Sequence, residues 1–392
     1  MPSETLVLAD YPVGHASGFG ETLFNLFDGF PHDKLWTAHP SHAVTAAGKS
    51  RARSIKLPTP ARPQWLPQRM SLAYYPFLKA KQFRASREAV RLLRDVVQQH
   101  SIKNLLVIPV SPWILTAALA LHKECPELRL VVYVMDDWQG HHDCYDLPYS
   151  PWRRRLLAEV IARANVRFAV SREMAAHYEE TFATSWLVVH NGVANPACVS
   201  ETPATVNATQ ILLAGDVNVF RFDAVLAFAA AIARHNQRGG AAIELTVMGE
   251  VAEEHRRSLS ALGGVKLLNR QSHEACLRAM KAANLLYLPL AFGKQSARIS
   301  RYSLPTKLPE YLASGKTVLF HAPQDSAVYR VAERYDLTPR LATIERDALD
   351  EFVASWARAA RNDNESVRKA NRALQEEFNL PRLATRFQAA FA

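Results

Sequence analysis

The chain has little of what marks a secreted or membrane-embedded protein. Its four cysteines, Cys125, Cys144, Cys198 and Cys276, are scattered and form no disulfide framework, so a reducing compartment is expected. The opening Met-Pro-Ser-Glu-Thr has no basic-then-apolar signal, and export is not expected. The best candidate for a membrane span, residues 104–122, is broken by Pro109 and Pro112 and reads as strand, turn and helix. Metal-ligand spacing is missing too: His141 and His142 in Gly140-His141-His142-Asp143-Cys144-Tyr145-Asp146 are adjacent, which does not let two rings converge on one tetrahedral ion. A cleft-rim loop is expected there instead.

Acidic residues nearly vanish between residues 51 and 94. Glu88 stands alone against a run of arginines and lysines, with Trp65, Leu66, Tyr74, Tyr75 and Phe77 interleaved. Basic residues beside exposed aromatics suit an anionic membrane surface or an anionic polymer. A solvated helix face with its aromatics turned inward has the same composition. The formal net charge of +10 adds to the case for an anionic partner.

What is present is an ordinary globular composition, 48% apolar and 21% charged over 392 residues, enough for two domains with their own cores. Strand patterns followed by helical ones are expected at residues 5–10, 104–110, 128–135 and 166–170, and again at 210–215, 242–249, 265–268, 285–290 and 317–320. Between the two series, residues 195–210 are rich in Pro, Ala, Ser and Thr and read as a linker. The alternation predicts an α/β protein with two doubly wound domains.

The most informative stretch runs from Tyr302 to Lys316. Pro305 and Pro309 suit a helix start, and Gly315 suits a left-handed stop. Free N–H groups near Thr306 and Lys307 suit a phosphate, and Glu310 one turn later suits the two hydroxyls of a ribose. A capped surface helix, with Glu310 only complementing the dipole, is the alternative.

Ser303-Leu304-Pro305-Thr306-Lys307-Leu308-Pro309-Glu310-Tyr311-Leu312 resembles the donor-binding signature of GT-B glycosyltransferases, in particular the retaining family 4 (group 1) enzymes. Glu310 matches the second of that signature's two glutamates, and Tyr302 stands where the first would be. The resemblance implies two Rossmann-like domains facing a central cleft: an acceptor domain at 1–194, the linker, a donor domain at 211–376, and a last helix at 377–392 crossing back. It places Gly18 and Gly20, with Ser17 beside them, near donor phosphates. Gly215 and Arg221 align with a Gly-Arg-x-x-x-x-Lys motif, in which Asp216 replaces the arginine. Asn269 and Arg270 would border the nucleobase, and Leu304, Thr306, Lys307 and Glu310 would hold the nucleotide. Asp136 and Asp137, at the end of a core strand, would orient or deprotonate the acceptor, with Met135 where a histidine is usual. Helix capping or a buried ion pair is the other reading of that carboxylate pair.

The expectation is a retaining, metal-independent transferase with no permanently bound cofactor. It would use a UDP- or GDP-sugar and a glycan or lipid-linked acceptor in bacterial surface polysaccharide synthesis. It would be cytoplasmic or peripheral on the inner membrane face, with nucleic acid not expected as a partner. A nucleotide-sugar epimerase or phosphorylase on the same fold remains open, as does a basic binding protein with a decayed transferase site.

Overall fold

The computed structural model describes residues 2–46, 48–58, 75–138, 140, 151–197, 209–358 and 364–392. Trp65, Leu66, Tyr74, residues 141–146, Cys198 and most of the expected linker lie outside them. The chain divides into two compact units, Met1–Asn191 with Pro381–Ala392, and Gly192–Leu380.

The first unit holds seven parallel strands: β1 (Thr5–Leu8), β2 (Leu35–Pro40), β3 (Arg53–Leu57), β4 (Asn104–Val107), β5 (Arg129–Val134), β6 (Val166–Ala169) and β7 (Leu187–Val188). Their order is β3-β2-β1-β4-β5-β6-β7. In register, Val7 lies between Thr37 and Leu106. β1 and β4 are buried throughout, as strands of a parallel sheet covered on both faces must be. The covering helices include α1 (Gly18–Leu26), α2 (Tyr75–Gln99), α3 (Pro112–Glu124), α4 (Pro151–Arg163) and α5 (Arg172–Phe182). The sequence pattern did not mark β2 and β3, and α1 begins about one turn earlier than its apolar face suggests. Ser17 caps it, its hydroxyl accepting from Gly20 N.

The second unit has six parallel strands, β8 (Thr209–Ala214), β9 (Ile243–Met248), β10 (Val265–Leu268), β11 (Leu285–Pro289), β12 (Val318–His321) and β13 (Arg340–Leu341), in the order β10-β9-β8-β11-β12-β13. Its helices are α6 (Phe222–Gln237), α7 (Glu253–Ser260), α8 (His273–Ala282), α9 (Ala297–Tyr302), α10 (Leu308–Ala313), α11 (Ala327–Arg334), α12 (Arg346–Arg358) and α13 (Asn364–Glu376). Val225, Phe228 and Ile232 of α6 pack with Leu213, Leu245 and Tyr287 of the sheet. Residues 294–301, despite their basic residues, form a 3-10 turn and most of α9 rather than a loop. Ser296 donates to Val219 O (3.0 Å) and Ser300 to Ala291 O (2.7 Å), and these buried hydroxyls tie the segment down.

After Leu380 the chain re-enters the first unit through α14 (Leu380–Gln388). There Phe387 and Phe391 pack on Phe27 at centroid distances of 5.1 and 5.7 Å, and Phe387 also meets Tyr133 and Phe168. Phe391 O accepts from Ser3 N (2.8 Å), tying the last residues to the first.

Candidate functional site

In each sheet the strand order reverses once, between β1 and β4 in the first unit and between β8 and β11 in the second. Open parallel sheets bind ligands outside the strand ends at such a switch point, because the loops part there.

In the second unit, Gly215 follows β8 with φ +152°, and a Cβ on it would lie 2.8 Å from Arg221 Nη1. Glycine therefore lets the guanidinium lie against the strand end, where Nη1 donates to Asp216 O (3.3 Å). Burial pulls the Arg221 pKa down from its ordinary value, and Tyr311 and Asp216 oppose that only in part. Among the described residues no carboxylate reaches ion-pair distance of Arg221. A desolvated cation without a counter-ion is costly, and a bound phosphate would supply the missing charge.

α10 reaches the same strand end through Tyr311. Its buried hydroxyl accepts from Ala214 N (2.7 Å), and burial pushes its pKa up to about 12. On that helix Lys307 Nζ and Glu310 Oε2 pair at 2.8 Å, both partly buried. The residues chosen for phosphate and ribose thus neutralise each other, one turn apart. Pro309 sits at the helix start and Gly315 has φ +70°, as the sequence predicts. Leu304 is buried, and Thr306 lies in the turn before α10.

Asp216 cannot ligate phosphate, but it has a use that sequence reasoning missed. Its Oδ2 accepts from Arg270 (2.7 Å), beyond β10, while Oδ1 accepts from Glu250 N (2.9 Å). A cation from another strand end is thereby held beside position 216. No local signal links residues so far apart in sequence. Asn269 Oδ1 accepts from Arg256 at 3.4 Å and remains near the surface.

In the first unit, Gly18 opens α1 and Gly20 lies in its first turn. A Cβ on Gly20 would meet the His15 backbone at 2.5 Å, so internal packing alone requires glycine there. Asp137 is buried, with Oδ2 accepting from Gly140 N (2.7 Å) and Oδ1 from Tyr178 (3.0 Å), an arrangement of the capping kind. Asp136 is half-buried and lines a small pocket with Phe19, Ile108, Pro109, Val110, Met135 and Trp138. On α2, Ala85, Ala89, Leu93 and Val97 are buried while Phe83, Arg87, Arg91 and Leu92 are exposed. The ring of Phe83 lies 6.0 Å from Trp152 on the basic helix α4. Other basic residues of this region serve the unit itself: Arg51 pairs with Asp28 and covers Phe24, and Arg53 covers Trp36.

No protein family and no curated protein matches the chain by sequence. Solved structures do match over nearly all of it. WaaG, a glycosyltransferase involved in lipopolysaccharide biosynthesis, is 12% identical with a TM-score of 0.63 over 99% of both chains. A UDP-forming α,α-trehalose-phosphate synthase from Burkholderia xenovorans is 10% identical with a TM-score of 0.68, over 99% of this chain and 98% of that one. The apo form of the lipopolysaccharide outer core galactosyltransferase WaaB is 13% identical with a TM-score of 0.60, over 98% and 99%. The fold is GT-B. Within this GT-B chain the position expected for the signature's first glutamate is Tyr302, which is buried with the Arg298 guanidinium over its ring.

Proposed function

We propose that this GT-B protein is a glycosyltransferase that takes a nucleoside-diphosphate sugar in its second unit and transfers the sugar to a glycan or lipid-linked acceptor held by its first. The observation that carries the reading is Arg221, a partly buried cation with no carboxylate at ion-pair distance among the described residues, seated on Gly215 at the switch point, where Tyr311 of the helix bearing Lys307 and Glu310 accepts from Ala214 N. Donor binding would part the Lys307–Glu310 pair, sending the ammonium to the diphosphate and the carboxylate to the ribose hydroxyls.

The barrier in such a transfer is departure of a diphosphate from an oxocarbenium-like sugar. Arg221, Lys307 and Arg270 would stabilise the charge that develops, without a metal ion. Asp136, which lines the first unit's pocket, would orient the acceptor. In this reading the anomeric configuration is retained. The UDP-forming neighbour favours a uridine donor over a guanosine one, and WaaG and WaaB favour surface polysaccharide synthesis.

Arg87 and Arg91, with exposed Phe83 and Leu92, fit peripheral docking on an anionic membrane where lipid-linked acceptors reside. Among the described residues no helix is long and apolar enough to cross a membrane. The test is thermal stability against a panel of nucleotides and nucleotide sugars, with and without magnesium. A shift by UDP compounds independent of metal is expected, and no shift by any of them overturns the reading. Incubation with the donor alone separates transfer from epimerisation, since an epimerase converts the donor without an acceptor.

A further inference from the structure

The two segments that flank the second unit's switch point are joined by hydrogen bonds. One follows β8, carries Arg221 and leads into α6; the other follows β11 and leads through the 3-10 turn into α9. Ala291 N donates to Phe220 O at 2.9 Å, and Ser296 Oγ donates to Val219 O at 3.0 Å. Asp223, in the first turn of α6, takes two further links on one oxygen: its Oδ2 accepts from Phe292 N at 2.8 Å and from Gly293 N at 2.7 Å. Its Oδ1 accepts from Ala224 N at 2.7 Å, which fixes the carboxyl plane. These links reach residues 219, 220 and 223, on both sides of Arg221.

The turn bearing Arg221 is fixed from within as well: Arg221 N and Phe222 N both donate to Asn218 O at 3.0 Å, and Val217 N donates to Glu250 O at 2.8 Å. The Arg221 guanidinium, whose pKa burial depresses, would gain by swinging out to water if its turn were free. Holding the turn on both sides keeps it at the strand end. Order supplied in advance need not be supplied again when a ligand arrives. A carboxylate suits the task, because one of its oxygens accepts two successive loop N–H groups as charge-assisted bonds. Its negative charge alone would weaken an anion site nearby, so what it contributes must come through those bonds.

We propose that Asp223 is a positioning residue of the anion site: by fastening the segment after β11 to the start of α6, it holds the Arg221 turn ready for a diphosphate before the diphosphate arrives. The proposal rests on the donor reading of Arg221. It deepens that reading by giving an acidic residue of α6 control over the affinity for an anion. Chemistry separates this role from a purely electrostatic one. If only the charge of Asp223 mattered, asparagine and alanine would act alike, each tightening the anion. As an acceptor, asparagine keeps one carbonyl oxygen for the two loop N–H groups, and alanine keeps none.

The experiment is calorimetric titration of UDP, GDP and inorganic pyrophosphate into the full chain, well below the ligand-free melting midpoint of each variant. The variants are Asp223→Ala, Asp223→Asn and, as a control, Ser300→Ala, which loses a bond to Ala291 O and none of the links to residues 219, 220 and 223. Wild type is expected to bind at least one of these ligands. Asp223→Ala should weaken that ligand about 5- to 30-fold, the cost of ordering roughly one residue's backbone on binding, and the loss should appear as a less favourable binding entropy. Asp223→Asn should bind close to wild type, and Ser300→Ala should lower the melting midpoint while leaving the affinity as it is. If Asp223→Ala does not fold, Ser296→Ala, which removes only the link to Val219 O, carries the test and should weaken the ligand in the same direction. Equal affinity in wild type and the loop-releasing variant, or the same change in Asp223→Ala and Asp223→Asn, overturns the proposal and leaves the donor reading in place. No binding of any of these ligands to wild type overturns both.

Discussion

Replacing Arg221 by methionine separates the cost of that residue from its use. The guanidinium has one hydrogen bond to a backbone carbonyl, no partner carboxylate among the described residues, and a pKa depressed by burial. Removing an uncompensated charge should leave the ligand-free protein as stable as wild type or more so, because methionine carries no desolvation penalty. The diphosphate contact is a different matter. A hydrogen bond to a charged group is worth about 1.5–3 kcal/mol, which is roughly a 10- to 100-fold loss of affinity. A nucleoside diphosphate at about 100 times its wild-type Kd adds about 2.7 kcal/mol of stability, and in the variant about 0.4–1.4 kcal/mol. For a unit of this size the midpoint shift then falls from about 5–11 °C to about 1–6 °C. Differential scanning fluorimetry reads both quantities, and calorimetric titration gives the Kd directly. An unchanged ligand shift, or a ligand-free midpoint that drops by several degrees, would refute the argument that Arg221 is held at a cost for an anion.

Glu310→Ala should weaken a nucleoside diphosphate, and the comparison that isolates its role uses the 2′-deoxy ligand. Loss of the hydroxyl should cost wild type roughly 10-fold or more in Kd and the variant little, as measured by titration calorimetry. Asp137→Asn places an amide where the Asp137 carboxylate takes hydrogen bonds from Gly140 and Tyr178, so stability should fall by about 1.5–3 kcal/mol in urea unfolding while nucleotide affinity is unchanged. His321 is buried between Tyr287 and Thr343 O, and burial lowers its pKa from 6.5 to about 4. Its folded value lies below the unfolded one, so its contribution is complete above about pH 6.5 and is lost as pH falls toward 4, up to roughly 3 kcal/mol, a slope that His321→Gln should flatten. Asp10 has the opposite sign: burial raises its folded value to about 6, above the unfolded one, so its penalty is full above that pH and fades as pH falls toward 3.8. Asp10→Asn should therefore raise the melting midpoint at pH 8 and not at pH 4.

Much of the fold is legible because a buried parallel strand is a short apolar run with a helix behind it, a local pattern. Residues 265–268 match β10, and β8, β9 and β11 fall within a residue or two of their sequence spans. β2 and β3 are not legible. In β2 the apolar run is broken by Thr37, His39 and Pro40, and β3, with Arg53, Ser54 and Lys56 exposed, has the composition of a loop. The helix bearing Lys307 and Glu310 is readable because its prolines, glycine and charges lie within one stretch. Its two charges, chosen separately for phosphate and ribose, are found paired with each other, which sequence spacing permits without requiring. Asp223 is invisible to such a reading, since one carboxylate in the first turn of a helix means nothing until Phe292 and Gly293, 69 and 70 residues away, are seen to bond it. Asp136 and Asp137 are neighbours in sequence, and only burial separates the pocket residue from the cap. Gly20 shows the reverse limit: the glycine is conspicuous in the sequence, and the backbone of His15 explains it.

The return of the chain into the first unit has a consequence for building new proteins. The second unit is a continuous insertion between Asn191 and Pro381, and its two ends are already joined: Val193 N donates to Phe378 O at 3.0 Å and Leu380 N to Val193 O at 3.1 Å. A gene cassette cut at those two points carries a complete sheet, its helices and a closed stem, and can be exchanged for another as one piece. The first unit allows no such single cut. A fragment ending at Asn191 lacks Phe387 and Phe391 from its aromatic core, and a version meant to fold alone must splice residues 381–392 onto its end through a short turn.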